Sequence, residues 1–183
     1  ITNLKWTDEF YQANNNLDNF SYKNQNKIIF KSKKLTKHKV NEKILFDGEN
    51  LILNDNKGNI IVYSVEKLEN IFSYNFYKKK YKKLKKKLNI LLEDNIVYVA
   101  DDFGYLYALD YLNKKLLWAH NYKIPFRSNL KIVDNKIILS DQNNSILIVN
   151  KKTGVKLRTL PTEEKTLKNE FINSFALIDN KIL

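Results

Sequence analysis

The chain has no cysteine and no methionine. Without cysteine there is neither a disulfide framework nor a thiolate metal site, which leaves every redox compartment open. No apolar run approaches the ~20 residues that a membrane-spanning helix needs. Only two histidines occur, His38 and His120, far apart and in no metal-binding spacing. The starting methionine is also missing, and the last residues, Asp179 to Leu183, stop inside a strand pattern, so a longer parent protein is expected.

What is present is a chain of 183 residues that is 43% hydrophobic and 13% aromatic, enough apolar surface for a folded core. Lysine, asparagine and isoleucine dominate in the manner of an AT-rich coding bias. The stretch Asn89 to Tyr122 organises the rest. It divides into four short strand-like segments, Asn89–Glu93, Ile96–Ala100, Tyr105–Asp110 and Lys115–Tyr122. Three turns separate them: Asp94-Asn95, Asp101 to Gly104, and Tyr111 to Lys114. This pattern predicts a four-stranded antiparallel meander.

The same unit recurs. Lys43 to Phe76 has Asp47-Gly48 at its first turn and Asp55 to Gly58 at its second; Leu130 to Leu160 has Asp134-Asn135 and Asp141 to Asn144 in those places. A further copy begins at Ser174 and reaches Asp179-Asn180. First-turn aspartates at 47, 94, 134 and 179 give one four-stranded sheet every 40 to 47 residues, the spacing of β-propeller blades. The predicted fold class is all-β, a propeller fragment with about three blades and the start of a fourth. Its divisions are 1–42, an N-terminal extended segment; 43–76, a blade; 77–88, a lysine-rich inter-blade loop; 89–122 and 130–160, two blades; and 174–183, a truncated blade. In residues 1–42, Trp6, Phe10, Tyr11, Phe20 and Tyr22 are expected to pin an extended segment to a surface, and Lys27 to Lys31 to supply a ring-closing strand.

Within the central unit, Ala108-x-Asp110 is followed by Asn113, Lys114 and Trp118, which resembles the A-x-D-x-x-T-G-x-x-x-W pattern of the pyrroloquinoline-quinone (PQQ) type propeller repeat. The third unit keeps Thr153-Gly154 with Asn150 and Arg158 at the aspartate and tryptophan positions, and the first has Ser64 and Phe72 there. Within that superfamily the chain is most similar to the BamB-like periplasmic propellers of the outer-membrane β-barrel assembly machinery. That resemblance implies a non-catalytic scaffold in the periplasm, with an anchor to the outer membrane expected in a segment outside this chain and a protein partner among the assembly components. The motif also has a plain packing reading: Trp118 and Phe72 fill the gap to the neighbouring blade, and Asp110 accepts N–H bonds of the turn after it. No quinone or other cofactor follows from it. The vicinal cysteines of quinone-dependent alcohol dehydrogenases are absent, which speaks against an enzyme, although a quinoprotein oxidoreductase fragment is the alternative.

Two stretches are candidates for binding. Lys78 to Lys87, KKKYKKLKKK, holds Lys78, Lys79, Lys80, Lys82, Lys83, Lys85, Lys86 and Lys87; subtracting these eight from the net charge of +12 leaves +4. It is either a solvated loop or a contact for an anionic membrane or acidic protein; nucleic acid is the weaker reading, because the run lacks arginine and exposed stacking aromatics. In Tyr122 to Asn129, Pro125 stiffens a loop that carries Phe126 and Arg127, residue types enriched where interfaces concentrate their energy; the alternative is that Phe126 plugs the loop's underside. Asp101 and Asp102, adjacent carboxylates, are read as turn residues, and Gly58 and Gly104 as their matching glycines.

Overall fold

Strands buried on both faces read as unbroken apolar runs, and middle strands of the first two units do so: Ile60–Tyr63, Val97–Ala100 and Leu106–Leu109. The computed structural model describes residues 5–16, 28, 30–77, 81–162, 174–179 and 181–183. It is all-β. The first sheet is formed by β1 (Leu45–Phe46), β2 (Asn50–Asn54), β3 (Asn59–Ser64) and β4 (Glu69–Asn75). The second comprises β5 (Leu88–Glu93), β6 (Ile96–Asp101), β7 (Tyr105–Asp110) and β8 (Lys115–Asn121). The third has β9 (Lys131–Val133), β10 (Lys136–Ser140), β11 (Ser145–Asn150) and β12 (Lys156–Pro161), and a hairpin of β13 (Leu177–Ile178) and β14 (Lys181–Ile182) follows. Each four-stranded sheet is an antiparallel meander in sequence order.

The sheets stack as blades, and two apolar cores lie between them. Leu45, Ile52, Ile60, Val62 and Phe72 of the first blade meet Leu88, Ile90, Val97, Val99 and Tyr107 of the second. From its other face, the second blade sends Leu91, Tyr98, Leu106, Ala108 and Trp118 against Leu130, Ile137, Leu139, Leu147 and Val149 of the third. Strand alternation explains the split: neighbours such as Ile90 and Leu91 point to opposite faces, so one sheet serves two cores.

A device absent from the sequence reading recurs in every blade. The register between third and fourth strand slips between Val62 and Tyr63, between Ala108 and Leu109, and between Ile148 and Val149. The residue skipped on the fourth strand is Ile71, Leu117 or Leu157, directly before the motif position held by Phe72, Trp118 or Arg158. A β-bulge re-aims the next side chain and adds twist. Here it places the ring of Phe72 or Trp118 in the inter-blade core.

Residues 5–16 run along the innermost strands and touch all four units. Trp6 pairs with Phe46 through two backbone bonds of 2.8 Å, and the Leu92 amide donates to the Thr7 carbonyl at 2.8 Å. Lys131, on β9, donates to Asp8 Oδ2 at 2.7 Å and to Asn15 Oδ1 at 2.6 Å, and the Leu177 amide of β13 donates to the Ala13 carbonyl at 2.8 Å. The predicted role for this region was aromatic pinning. Trp6 does pack edge-on against Tyr11 and Phe46, and the Lys43 ammonium sits over the Phe10 ring, but Asp8, Glu9 and Asn15 carry the polar contacts between blades. Phe20 and Tyr22 lie outside the described residues, as do residues 27 and 29 of the expected closing strand. Residues 28, 30 and 31 of that stretch are not in a strand, and Phe30 tilts against Tyr63 on the first blade.

Candidate functional site

The topology sorts the connections onto two faces. The first and third turns of each blade lie at one end of the strands, and the second turns at the other, together with the connections between blades. The second-turn face is tied together by backbone bonds: Lys86 N–H to the Asn56 carbonyl, Phe126 N–H to Asp101, Arg127 N–H to Ser140 and Gln142 N–H to Pro125.

Its carboxylates are spent on turns. Asp55 Oδ1 accepts the amides of Lys57 and Asn59, Asp101 Oδ1 those of Phe103 and Tyr105, and Asp141 Oδ1 those of Asn143 and Ser145. All three are buried. The adjacent Asp101 and Asp102 do not act as a pair: Asp101 accepts the Tyr77 hydroxyl across the blade boundary, and one oxygen of Asp102 has no hydrogen-bond partner. On the third turns, Ser64, Asp110 and Asn150 repeat the same economy, Asp110 Oδ1 accepting from the Asn113 amide at 2.9 Å and Asn150 Oδ1 from Lys152 and Thr153.

These turns give a prediction with a sign. Burial pushes the Asp55 carboxyl up, but bonds from Thr36, the Asn59 side chain and the Asn59 and Lys57 amides outweigh it and hold the group below its ordinary value. Burial of Asp101 wins against its bonds from Tyr77, Tyr105 and Phe103 and leaves it raised. A depressed folded pKa means that the unfolded chain binds more protons, so the Asp55 contribution is present above the unfolded value of about 3.8 and is lost as pH falls through the folded one. For Asp101 the sign reverses, and its ionisation costs stability as pH rises through the folded value. In chemical-denaturation series through the acidic range, the deficit of Asp55→Asn should therefore grow with pH and that of Asp101→Asn should shrink. Parallel slopes would contradict the assignment.

The lysine-rich connection rises from this face. Lys82, Lys83, Lys85 and Lys87 are exposed, as is Leu84 between them. Lys57 braces the loop by donating to the Lys83 carbonyl at 2.7 Å. Lys123 is exposed on the next connection, and Arg127 is half-buried. Lys78, Lys79 and Lys80 lie outside the described residues. Lys86 departs from the expectation of an anion contact. It is only 4% exposed, its ammonium donates to the Tyr81 and Leu84 carbonyls at 2.6 and 2.9 Å, and it sits 4.6 Å from the centre of the Tyr77 ring. A lysine spent in this way staples the loop. Gly58 gives it room: a Cβ there would stand 2.4 Å from the Tyr77 ring and 2.7 Å from Lys86 Cδ.

The expected anchor Phe126 is corrected as well. It is 3% exposed, belongs to the core between the second and third blades, and meets Tyr122 edge-on at 5.8 Å. No partner can reach it without opening that core. Arg127 donates to the Phe126 carbonyl at 3.1 Å and approaches Gln142 Oε1 at 3.5 Å, and Pro125 is half-buried with its carbonyl taken by Gln142. His120 is half-buried and donates from Nε2 to the Thr153 carbonyl at 3.0 Å.

A calcium-bound quinone does not fit the residues nearest the axis. Asp8 and Glu9 would be the carboxylates available to the metal, but Asp8 is paired with Lys131, and Glu9 accepts the Ile90 amide at 2.9 Å and lies 3.5 Å from Lys43. Among the described residues, no group of three His, Cys, Asp or Glu side chains is arranged to hold a metal ion.

No family model matches the chain, and no curated protein matches it. Solved structures do. BamB from Moraxella catarrhalis aligns over 73% of this chain and 42% of its own, with 12% identity and a TM-score of 0.57. The computationally designed Ika4 protein aligns over 75% of this chain and 79% of its own, with 14% identity and a TM-score of 0.59. The quinohemoprotein alcohol dehydrogenase from Comamonas testosteroni aligns over 63% and 20%, with 14% identity and a TM-score of 0.51. The chain thus spans about two fifths of the length of the BamB structure. At these identities the likeness speaks to architecture, and it agrees with the stacked four-stranded meanders: the chain has the β-propeller fold, built of four-stranded antiparallel blades.

Proposed function

We propose that the chain is a non-catalytic protein-interaction scaffold that docks a partner on its second-turn face, and that it assists the assembly of β-barrel proteins in the outer membrane from the periplasmic side. The observation that carries the docking face is the contrast within it: the turn carboxylates Asp55, Asp101 and Asp141 are consumed by backbone amides, while Lys82, Lys83, Lys85, Lys87 and Lys123 stand exposed around them. Such a face attracts acidic partners and speeds their encounter. The likeness to BamB supports the assembly reading. The likeness to quinohemoprotein alcohol dehydrogenase supports a quinone-dependent oxidoreductase as the alternative, against which stand the engaged axial carboxylates Asp8 and Glu9.

The test is photo-crosslinking in native cells from the full-length protein, with the probe at Lys83 or Lys85 and, as controls on the opposite face, at Leu112 or Lys152. Capture of an outer-membrane assembly component from the first pair alone is the expected result. Capture only from the control positions, or recovery of the protein with the cytoplasm, overturns the proposal. For the alternative, reconstitution with PQQ and calcium should give a bound-cofactor spectrum and dye reduction.

A further inference from the structure

Where the strip 39–43 enters the first blade, a cavity of about 210 Å³ opens between it, the end of β2 and the start of β5. It lies at the inner junction of the first two blades, beside the lysine-rich loop. Three ammonium-bearing side chains line it, Lys39, Lys43 and Lys87, together with the amides of Asn41, Asn54 and Asn89. Lys39 and Lys87 are exposed, whereas Asn54 and Asn89 are 1% and 7% exposed and fixed: Asn54 Oδ1 accepts from Asn41 Nδ2, and Asn89 Nδ2 donates to the Ser128 carbonyl at 2.9 Å. The floor is therefore rigid, Lys43 is held between Glu9 and the Phe10 ring, and the exposed Lys39 and Lys87 are the part of the rim free to close.

Building on the docking face proposed above, we infer that this cavity is a specific pocket for a carboxylate side chain of an acidic peptide segment in the partner. Volume and chemistry both select that class. A cavity of 210 Å³ takes one or two residues and not a folded surface. The lysines offer charge-assisted donors to a carboxylate, which make shorter and stronger bonds than neutral ones. Glu9 and Glu42 also line the cavity. They oppose a dianionic phosphate but can accept the N–H groups that flank an acidic side chain in a peptide. Glu9 is restrained for this role by the Ile90 amide. A peptide brings both an acceptor and donors, and the lining supplies both complements.

The experiment is fluorescence anisotropy with a fluorescein-labelled peptide of alternating glycine and glutamate, run beside its glutamine counterpart. The whole chain is used, with NMR of the asparagine side-chain amides as the positional readout. The glutamate peptide should bind and the glutamine peptide should not. Lys39→Gln and Lys87→Gln should each weaken binding by roughly tenfold, the loss of one charge-assisted bond. Lys82→Gln and Lys83→Gln should change it by less than about threefold, the scale of a screened surface charge. The amide resonances of Asn41, Asn54 and Asn89 should shift on titration. Equal sensitivity to Lys82 and Lys83, without asparagine shifts, means diffuse attraction by the loop; the pocket is then wrong while the docking face stands. Displacement of the peptide by equimolar inorganic phosphate marks a phosphate site and also overturns the inference. So does binding of phosphatidylglycerol vesicles with no binding of the peptide.

Discussion

Asp8→Ala is expected to destabilise the protein by about 3–5 kcal/mol, the cost of leaving one member of a buried ion pair without its partner. The pair is Lys131–Asp8, at 2.7 Å, with side chains 0% and 2% exposed. Asn15 Oδ1 would remain beside the ammonium but carries no charge to offset it. In a domain of this size, that loss corresponds to a fall in Tm of roughly 6 to 20 °C. Burial already pulls the Lys131 pKa below its ordinary value, and the contact with Asp8 holds it up. Removing Asp8 lowers it further, so the folded state sheds a proton that the unfolded chain keeps. By linkage, stability of the variant then rises with pH toward the unfolded value of about 10.5, and its deficit narrows in alkali. Adding Lys131→Met should recover most of the loss, because two apolar groups replace the orphaned charge. The control is the half-exposed pair Lys151–Glu93, also at 2.7 Å, where Glu93→Ala should cost no more than about 1 kcal/mol. Thermal and urea melts of the three variants beside the wild type decide the matter. Equal effects at Asp8 and Glu93 would mean that the axial segment does not hold the blades together.

That segment also marks the boundary of what the sequence discloses. The blades are legible because their turns are local: an aspartate binds amides two and four residues ahead, as Asp101 does with Phe103 and Tyr105, and the same spelling returns at Asp55 and Asp141. First turns follow suit, with Asp94 and Asp134 both at a φ of 53°. Only the first residue of the Asp94-Asn95 loop adopts positive φ, although both residue types tolerate it. The contact of Asp8 with Lys131 spans 123 residues and repeats nowhere, so no periodicity announces it. The bulges before Phe72 and Trp118 are hidden for a related reason, since the skipped Ile71 and Leu117 are as apolar as the aromatic that follows them and carry no mark of being unpaired. Lys86 and Phe126 fail as binding residues because burial is decided by what lies beneath a loop. Under Lys86 is the Tyr77 ring, and under Phe126 is the gap between two sheets. One lysine among eight, or one phenylalanine beside a proline, carries no local mark of that.

Trp118→Ala should cost about 3–5 kcal/mol, the range for emptying a large aromatic site in a core. Trp118 is 9% exposed, packs with Tyr98 and Ala108 against the third blade, and donates from Nε1 to the Lys151 carbonyl at 3.1 Å. Its face rests on Gly154. A Cβ at that glycine would stand 2.4 Å from Trp118 Cε3 and 2.5 Å from His120 Cδ2, at a φ of +71° that disfavours any side chain. The glycine of the Thr153-Gly154 turn therefore has two separable reasons to be there. The left-handed backbone alone costs a non-glycine residue roughly 1–2 kcal/mol. The matching turn positions show that this part is bearable, because Leu68 and Lys114 sit there at φ 55° and 54°. The contact with the indole is the part peculiar to Gly154. A double-mutant cycle separates them: Gly154→Ala should be more harmful with Trp118 present than in the Trp118→Ala background, where the Cβ meets only His120. A coupling of 0.5 kcal/mol or more is the range for residues in direct contact. Trp118→Phe should fall between wild type and Trp118→Ala, since Phe72 fills the corresponding gap in the first blade at 7% exposure without an indole N–H. Additive losses at Trp118 and Gly154 would detach the tryptophan from the turn below it and leave the motif to backbone geometry alone.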